Sequence, residues 1–418
     1  MEASVRLDHE LVAVASDDDV HAMLELTFPE APSDAERPPL NIALVLDRSG
    51  SMTGEKLHVT KACAKHLVRR LRADDQIAVV SFDDEVRLET SLAPVEADEV
   101  CAVIDDIEPN GATNLSGGWL KGVEELRRAE GGARRALVLL TDGQANHGIT
   151  DAKRLVAMTS GAKSMEGTST TTIGFGDGFD EDLLAAMADA GGGNAHYAPT
   201  PEAAPAIFAQ EFEGLSTTVA QNVSVELRPS PAVEMLGVLN DYPAVPVVGG
   251  VQVELGDGWG GERRRLVFSF HVPAVADLGP ASIAEVVVRW TDVTGAPALH
   301  ELTIPVVVNV APGEEAAEGP VDPGVKEEVV ILEAARAQSD ARLAADAGKF
   351  GIAQARLDGR ASALRALAET SDRADELLAV ADAIDEMVDV VESQAWDGGA
   401  SKTALYASRS TSRPRRRS

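Results

Sequence analysis

The run Asn41-Ile42-Ala43-Leu44-Val45-Leu46-Asp47 leaves this chain little choice of fold. Ile42 to Leu46 offer water no polar side, so they predict a strand covered on both faces, as in a parallel sheet flanked by helices. Asp47 falls at the C-terminal end of that strand, where open parallel sheets present their loops to ligands. Ser49 and Ser51 follow at alternate positions, and Gly50 between them is expected to let the chain turn sharply. One carboxylate and two hydroxyls around a point suit a hard cation such as Mg2+, which takes oxygen ligands and keeps several waters. Helix N-capping accounts for an Asp or Ser ahead of a helix equally well, so this short pattern alone has two explanations.

Two further segments bear on that choice. Asn110-Gly111-Ala112-Thr113-Asn114 is a polar loop, and Leu137-Val138-Leu139-Leu140-Thr141-Asp142-Gly143 is a second apolar strand that ends in an aspartate. Asp47-Arg48-Ser49-Gly50-Ser51-Met52 matches the DxSxS signature of von Willebrand factor A (VWA) domains. The other two segments resemble that family's threonine loop and its strand ending in aspartate. The resemblance spans residues 40–215 and implies a metal-ion-dependent adhesion site (MIDAS) built from Asp47, Ser49, Ser51, Thr113 and Asp142. It further implies that the serines and the threonine touch the metal while the aspartates act through water. The ion is expected to be Mg2+, with Mn2+ or Ca2+ as alternatives, and its last position is left for an Asp or Glu of a partner protein.

The chain's 418 residues exceed a single comfortable core. The expected fold is multidomain α/β plus all-β: a doubly wound, Rossmann-like VWA domain inserted in a β-sandwich and followed by a C-terminal helical bundle. Residues 1–39 read as a hairpin that joins the sandwich, with a proline-rich link at 31–39. Strands and helices alternate through 40–214, as a sheet covered on both faces requires. Short strands between Pro and Gly turns fill 215–312 and predict the sandwich. An acidic Pro/Gly linker follows at 313–324. Three helices are expected in 325–396, and 397–418 is a basic tail read first as a disordered end and second as an arm for nucleic acid, membrane or the acidic body.

A formal net charge of −31, with Lys402 and five arginines concentrated in the last 17 residues, leaves the body strongly acidic. That argues against nucleic acid or anionic membrane as a partner of the body. Cys63 and Cys101 show no zinc-like spacing and read as two free buried thiols. The N-terminus has no basic region ahead of an apolar one, and no apolar run reaches the ~18 residues of a membrane span, so a cytoplasmic location is expected.

An enzyme would need a nucleophile with a base. Ser49 and Ser51 have no such partner in the sequence, and the eight histidines are scattered without HExxH or HxH spacing. His147 follows Thr141-Asp142-Gly143 and is the one histidine placed near the expected rim. Gly174, Gly176 and Gly178 lack GxGxxG spacing and read as a turn, as do Asp83 and Asp84. Two non-enzymatic functions remain: metal-dependent capture of a partner's carboxylate, or an adaptor role in a larger assembly. The second follows from bacterial domains that resemble partners of AAA+ ATPases, with docking through the helical bundle.

Overall fold

A computed structural model describes residues 1–33, 37–129 and 134–417. Its contacts divide the chain into two units, residues 31–221 with 292–298, and residues 1–30, 222–291 and 299–418. Positions 34–36 of the proline-rich link fall outside the described residues.

The first of these units is a six-stranded sheet with helices on both faces. Its strand order is Val86–Pro94, Gln76–Phe82, Leu40–Asp47, Arg134–Thr141, Thr168–Phe175 and Gly192–Ala198. Neighbours are parallel except for the antiparallel edge strand Val86–Pro94. The apolar run Ile42 to Leu46 takes a central place, with Leu44 opposite Val79 on one side and Val138 on the other. Alternation along it assigns the faces. Ile42, Leu44 and Leu46 pack with Cys63, Leu67, Ile104, Phe208 and Phe212, which come from the helices Glu55–Val68, Ala97–Asp105 and Ala204–Ser216.

Val45 points the other way, toward the helix Leu115–Leu126. A β-carbon at Gly122 of that helix would sit 2.7 Å from Val45 Cγ2 and 2.8 Å from Leu137 Cδ1, so close packing requires glycine there. This is a Rossmann-like α/β fold, and the parallel arrangement gathers Asp47, Asp83 and Asp142 at the C-terminal ends of adjacent strands.

The other unit holds most of two sheets. In one, Glu2–Leu7, Asp18–Thr27, Glu262–Val272 and Glu234–Val238 lie in that order. In the second the order is Ala244–Val247, Gly250–Trp259, Thr218–Pro229, Gly279–Asp292, Ala298–Ala311 and Leu11–Ala13. The N-terminal segment is therefore more than a hairpin. Glu2–Leu7 and Asp18–Thr27 pair antiparallel, but Leu11–Ala13 between them joins the other sheet, parallel to Asn309–Ala311.

The C-terminal region departs from expectation in three places. The expected acidic linker contains a short helix, Gly313–Ala317, and its Asp322 accepts the Val325 amide at 3.0 Å to cap the long helix Pro323–Asp346. The expected second helix is two, Phe350–Leu357 and Arg360–Ala368, because Gly359 between them adopts a left-handed φ of 72°. The tail is not a disordered end. Asp397 caps the helix Gly398–Ser412, whose Ser401, Lys402, Ala404, Leu405 and Ser408 are buried, and Arg416–Arg417 pairs antiparallel with Glu262 and Arg263. Ala404 shares a core with Ile331, Ala341, Leu357, Leu364, Leu377 and Ile384 of the neighbouring helices.

Candidate functional site

Asp47 ends its strand with no exposure. Its Oδ1 accepts the Ser49 amide at 2.7 Å, and its Oδ2 accepts the Thr141 hydroxyl at 2.5 Å, so one carboxylate ties two strand ends together. Burial pushes the carboxyl up to about 6, against the opposing pull of the hydrogen bonds from Ser49 and Thr141, and the charge of Asp142 adds to the rise.

Ser51 reaches across to the next strand end. Its Oγ donates to Asp142 Oδ1 at 2.6 Å and lies 3.1 Å from Ser49 Oγ. With its proton engaged by Asp142, the Ser51 oxygen keeps lone pairs for another partner. The second Asp142 oxygen accepts Lys56 Nζ at 2.5 Å.

Thr113 is buried in its own loop, which the backbone fixes. Its amide donates to Asn146 Oδ1 at 2.8 Å, and its carbonyl accepts the amides of Asn146 and His147, each at 3.2 Å. A β-carbon placed on Gly143 would lie 3.0 Å from Thr113 Oγ1 and 3.6 Å from Ser51 Oγ. Both hydroxyls therefore border one small space above Gly143 that a side chain there would fill. The structure brings all five sequence-derived residues to this corner of the sheet, with Asp47 behind and the hydroxyls in front.

Three backbone hydrogen bonds hold the loops together. Gly50 donates to the Gly111 carbonyl at 3.1 Å, Asn110 to that of Arg48 at 2.8 Å and Asn114 to that of Asp83 at 2.7 Å. The sharp turn expected at Gly50 is a single 3-10 turn over Gly50–Met52, and the left-handed glycine is Gly54, at a φ of 89°. Gly111 also holds a positive φ, of 63°, and a β-carbon there would collide with Asp84 Oδ1, so glycine suits the position on both counts. Asp83 does more than turn the chain: its carboxylate accepts the Glu85 amide and pairs with buried Arg48. His147 is exposed and contributes its amide.

Sequence reasoning missed Thr141, Asn146, Lys56 and the Arg48–Asp83 pair. Thr141 and Asn146 flank Asp142 closely in the chain and could have been suspected as its supports. Among the described residues, no group of three or more His, Cys, Asp or Glu side chains could hold a metal ion. The corner described here is of another kind, two carboxylates with three hydroxyls. No helix among the described residues is long and apolar enough to cross a membrane.

A doubly wound sheet with helices on both faces, and with hydroxyls and carboxylates clustered at its C-terminal edge, defines a Rossmann-like α/β domain. The sequence model for the von Willebrand factor type A domain matches residues 41–210, and the chain carries a VWA domain over that span. Bacterial relatives include protein sll0103 of Synechocystis sp., 29% identical over 266 residues, or 61% of this chain and 62% of that one. The chain spans less than two thirds of the length of the first curated relatives it matches.

A solved von Willebrand factor type A structure from Catenulispora acidiphila aligns with a TM-score of 0.70 at 18% identity, covering 93% of this chain and 89% of that one. The ArnB paralog VWA2 from Sulfolobus acidocaldarius aligns with a TM-score of 0.61 at 16% identity, covering 99% and 98%. At such identities the likeness is one of fold.

Proposed function

We propose that this protein is a divalent-metal-dependent binding module that captures an Asp or Glu side chain of a partner protein, and that it is not an enzyme. The observation that carries this reading is the shared space bordered by the Ser51 and Thr113 hydroxyls, with Ser49 beside them and two carboxylates fixed behind. The donor set fits a hard cation. Ser49, Ser51 and Thr113 would hold Mg2+ directly, and Asp47 and Asp142 through water, as a MIDAS; Mn2+ or Ca2+ are the alternative ions. An ion there would supply a positive centre for an incoming carboxylate.

In this reading the two further sheets are a β-sandwich interrupted in sequence by the VWA domain, and the C-terminal helices are a bundle, in a cytoplasmic protein. A second reading, docking through the helices as an adaptor for a larger assembly such as an AAA+ ATPase machine, has its own support. Leu343, Ile352 and Leu378 leave apolar side chains exposed on three of those helices.

Affinity capture with the full chain tests both. Loss of the same partner with EDTA and with Asp47→Ala supports carboxylate capture. A partner that survives both but is lost with Leu343→Glu and Ile352→Glu supports the adaptor.

A further inference from the structure

The Asp142 carboxylate is already spoken for. Oδ1 accepts the Ser51 hydroxyl, and Oδ2 takes an ion pair with Lys56 Nζ at 2.5 Å. Lys56 stands in the first turns of the helix Glu55–Val68, directly after the serine loop. Its side chain is 36% exposed while that of Asp142 is fully buried, so the ammonium enters from the solvent side. Arg48, in the serine loop itself, is buried and paired with Asp83 instead. Beyond Nζ, a β-carbon at Gly176 would come to 3.6 Å, so the loop after Thr168–Phe175 borders the lysine on one side.

We propose that Lys56 is the resident cation of this site: its ammonium balances Asp142 when no metal is bound, and must yield when a divalent ion enters. This rests on the metal-site reading above. Of the two carboxylates in the corner, Lys56 pairs with one. A divalent ion beside the Ser51 hydroxyl would lie within a few ångströms of the ammonium, and like charges so close repel strongly where water is scarce. The partly exposed, flexible four-carbon stem lets the ammonium swing into solvent without disturbing the helix, so exchange needs no rearrangement of the backbone. Lys56 then sets how tightly the site loads, and makes partner capture respond to free metal over a higher concentration range.

The test is a Mn2+ titration of the full chain followed by electron paramagnetic resonance, with the parent, Lys56→Met, Lys56→Arg and Asp47→Ala. Lys56→Met is expected to tighten Mn2+ by about tenfold or more, and Lys56→Arg to stay near the parent, with circular dichroism confirming that each is folded. Equal or weaker affinity in folded Lys56→Met overturns the role of Lys56 and leaves the metal site standing. Absence of Mn2+ binding in the parent and in both lysine variants overturns the metal site and this proposal together.

Discussion

Arg48 Nη2 and Asp83 Oδ2 lie 2.6 Å apart with side-chain exposures of 3% and 0%, directly beneath the serine loop. The contact is an ion pair off the hydrogen-bond angle, while the other Asp83 oxygen accepts the Glu85 amide. Both partners also hold the site by their backbones, through the Asn110 and Asn114 amides. Removing one charge strands the other in a dry environment, so Asp83→Ala is expected to cost about 3–5 kcal/mol in denaturant unfolding. The double variant Arg48→Met, Asp83→Asn should lie closer to the parent than either single change. Additive losses would show that the pair is not coupled.

Asp47 gives the site a pH dependence of known sign. Its folded carboxyl is raised to about 6 from an ordinary 3.8, chiefly by burial, so the fold favours the neutral form. Its contribution to stability is complete below the unfolded value and is lost as pH rises through the folded one. In EDTA at pH 7.5, Asp47→Asn should therefore be more stable than the parent by roughly 1–3 kcal/mol. A divalent ion held as proposed would oppose this by favouring the anion. Mg2+ should raise the melting temperature of the parent at pH 7.5, do so much less at pH 5, and leave Asp47→Asn unchanged at both.

What could be read in advance depended on the range of the interactions. Ile42 to Leu46 announced a strand because burial on both faces leaves an unbroken apolar run. Asp47, Ser49 and Ser51 announced a site because their spacing is local. Lys56 gave no such signal, since a lysine early in an amphipathic helix looks like any solvated charge until Asp142, 86 positions away, is placed beside it. The order of the tail was hidden for the same reason, although its reading as an arm against the acidic body agrees with where it lies. Its Ala, Ser and Arg composition resembles that of a solvated end, and the groups that seat it, Asp241, Tyr242, Trp259 and Glu262, lie far back in the chain.

Glu211 of the helix Ala204–Ser216 is buried against the sheet, where its carboxylate accepts the Thr171 hydroxyl at 2.7 Å and the Asn194 amide at 2.8 Å, and pairs with His196 Nε2 at 2.9 Å. Burial alone would raise its carboxyl, but His196 with the Thr171 and Asn194 hydrogen bonds outweighs it and holds the group below the ordinary glutamate value. The stability this supplies is present above the unfolded value and is lost as pH falls through the folded one. Glu211→Gln should cost about 3 kcal/mol at pH 7, with the gap to the parent narrowing below pH 4. A gap that stays constant with pH would mean that the carboxylate charge is not what docks this helix.

The tail offers a test of electrostatics against stacking. Arg415 lies 4.1 Å over the Trp259 ring, and its Nε is 3.8 Å from Glu262 Oε1, a carboxylate that Arg264 already holds at 2.8 Å. Arg413 covers Tyr242 at 5.1 Å, and Arg409 and Arg413 stand 3.8 and 3.5 Å from the exposed Asp241. Because Glu262 keeps Arg264, Arg415→Ala strands no buried charge, and its cost should be that of a partly desolvated cation–π contact, about 1–2 kcal/mol. That loss should be nearly independent of salt and accompanied by a change in tryptophan fluorescence. Asp241→Ala removes only pairs with an exposed acid, so its smaller effect should fade between low salt and 0.5 M NaCl. If both variants respond to salt alike, the tail is held by charge attraction to the acidic body and the ring contacts contribute nothing.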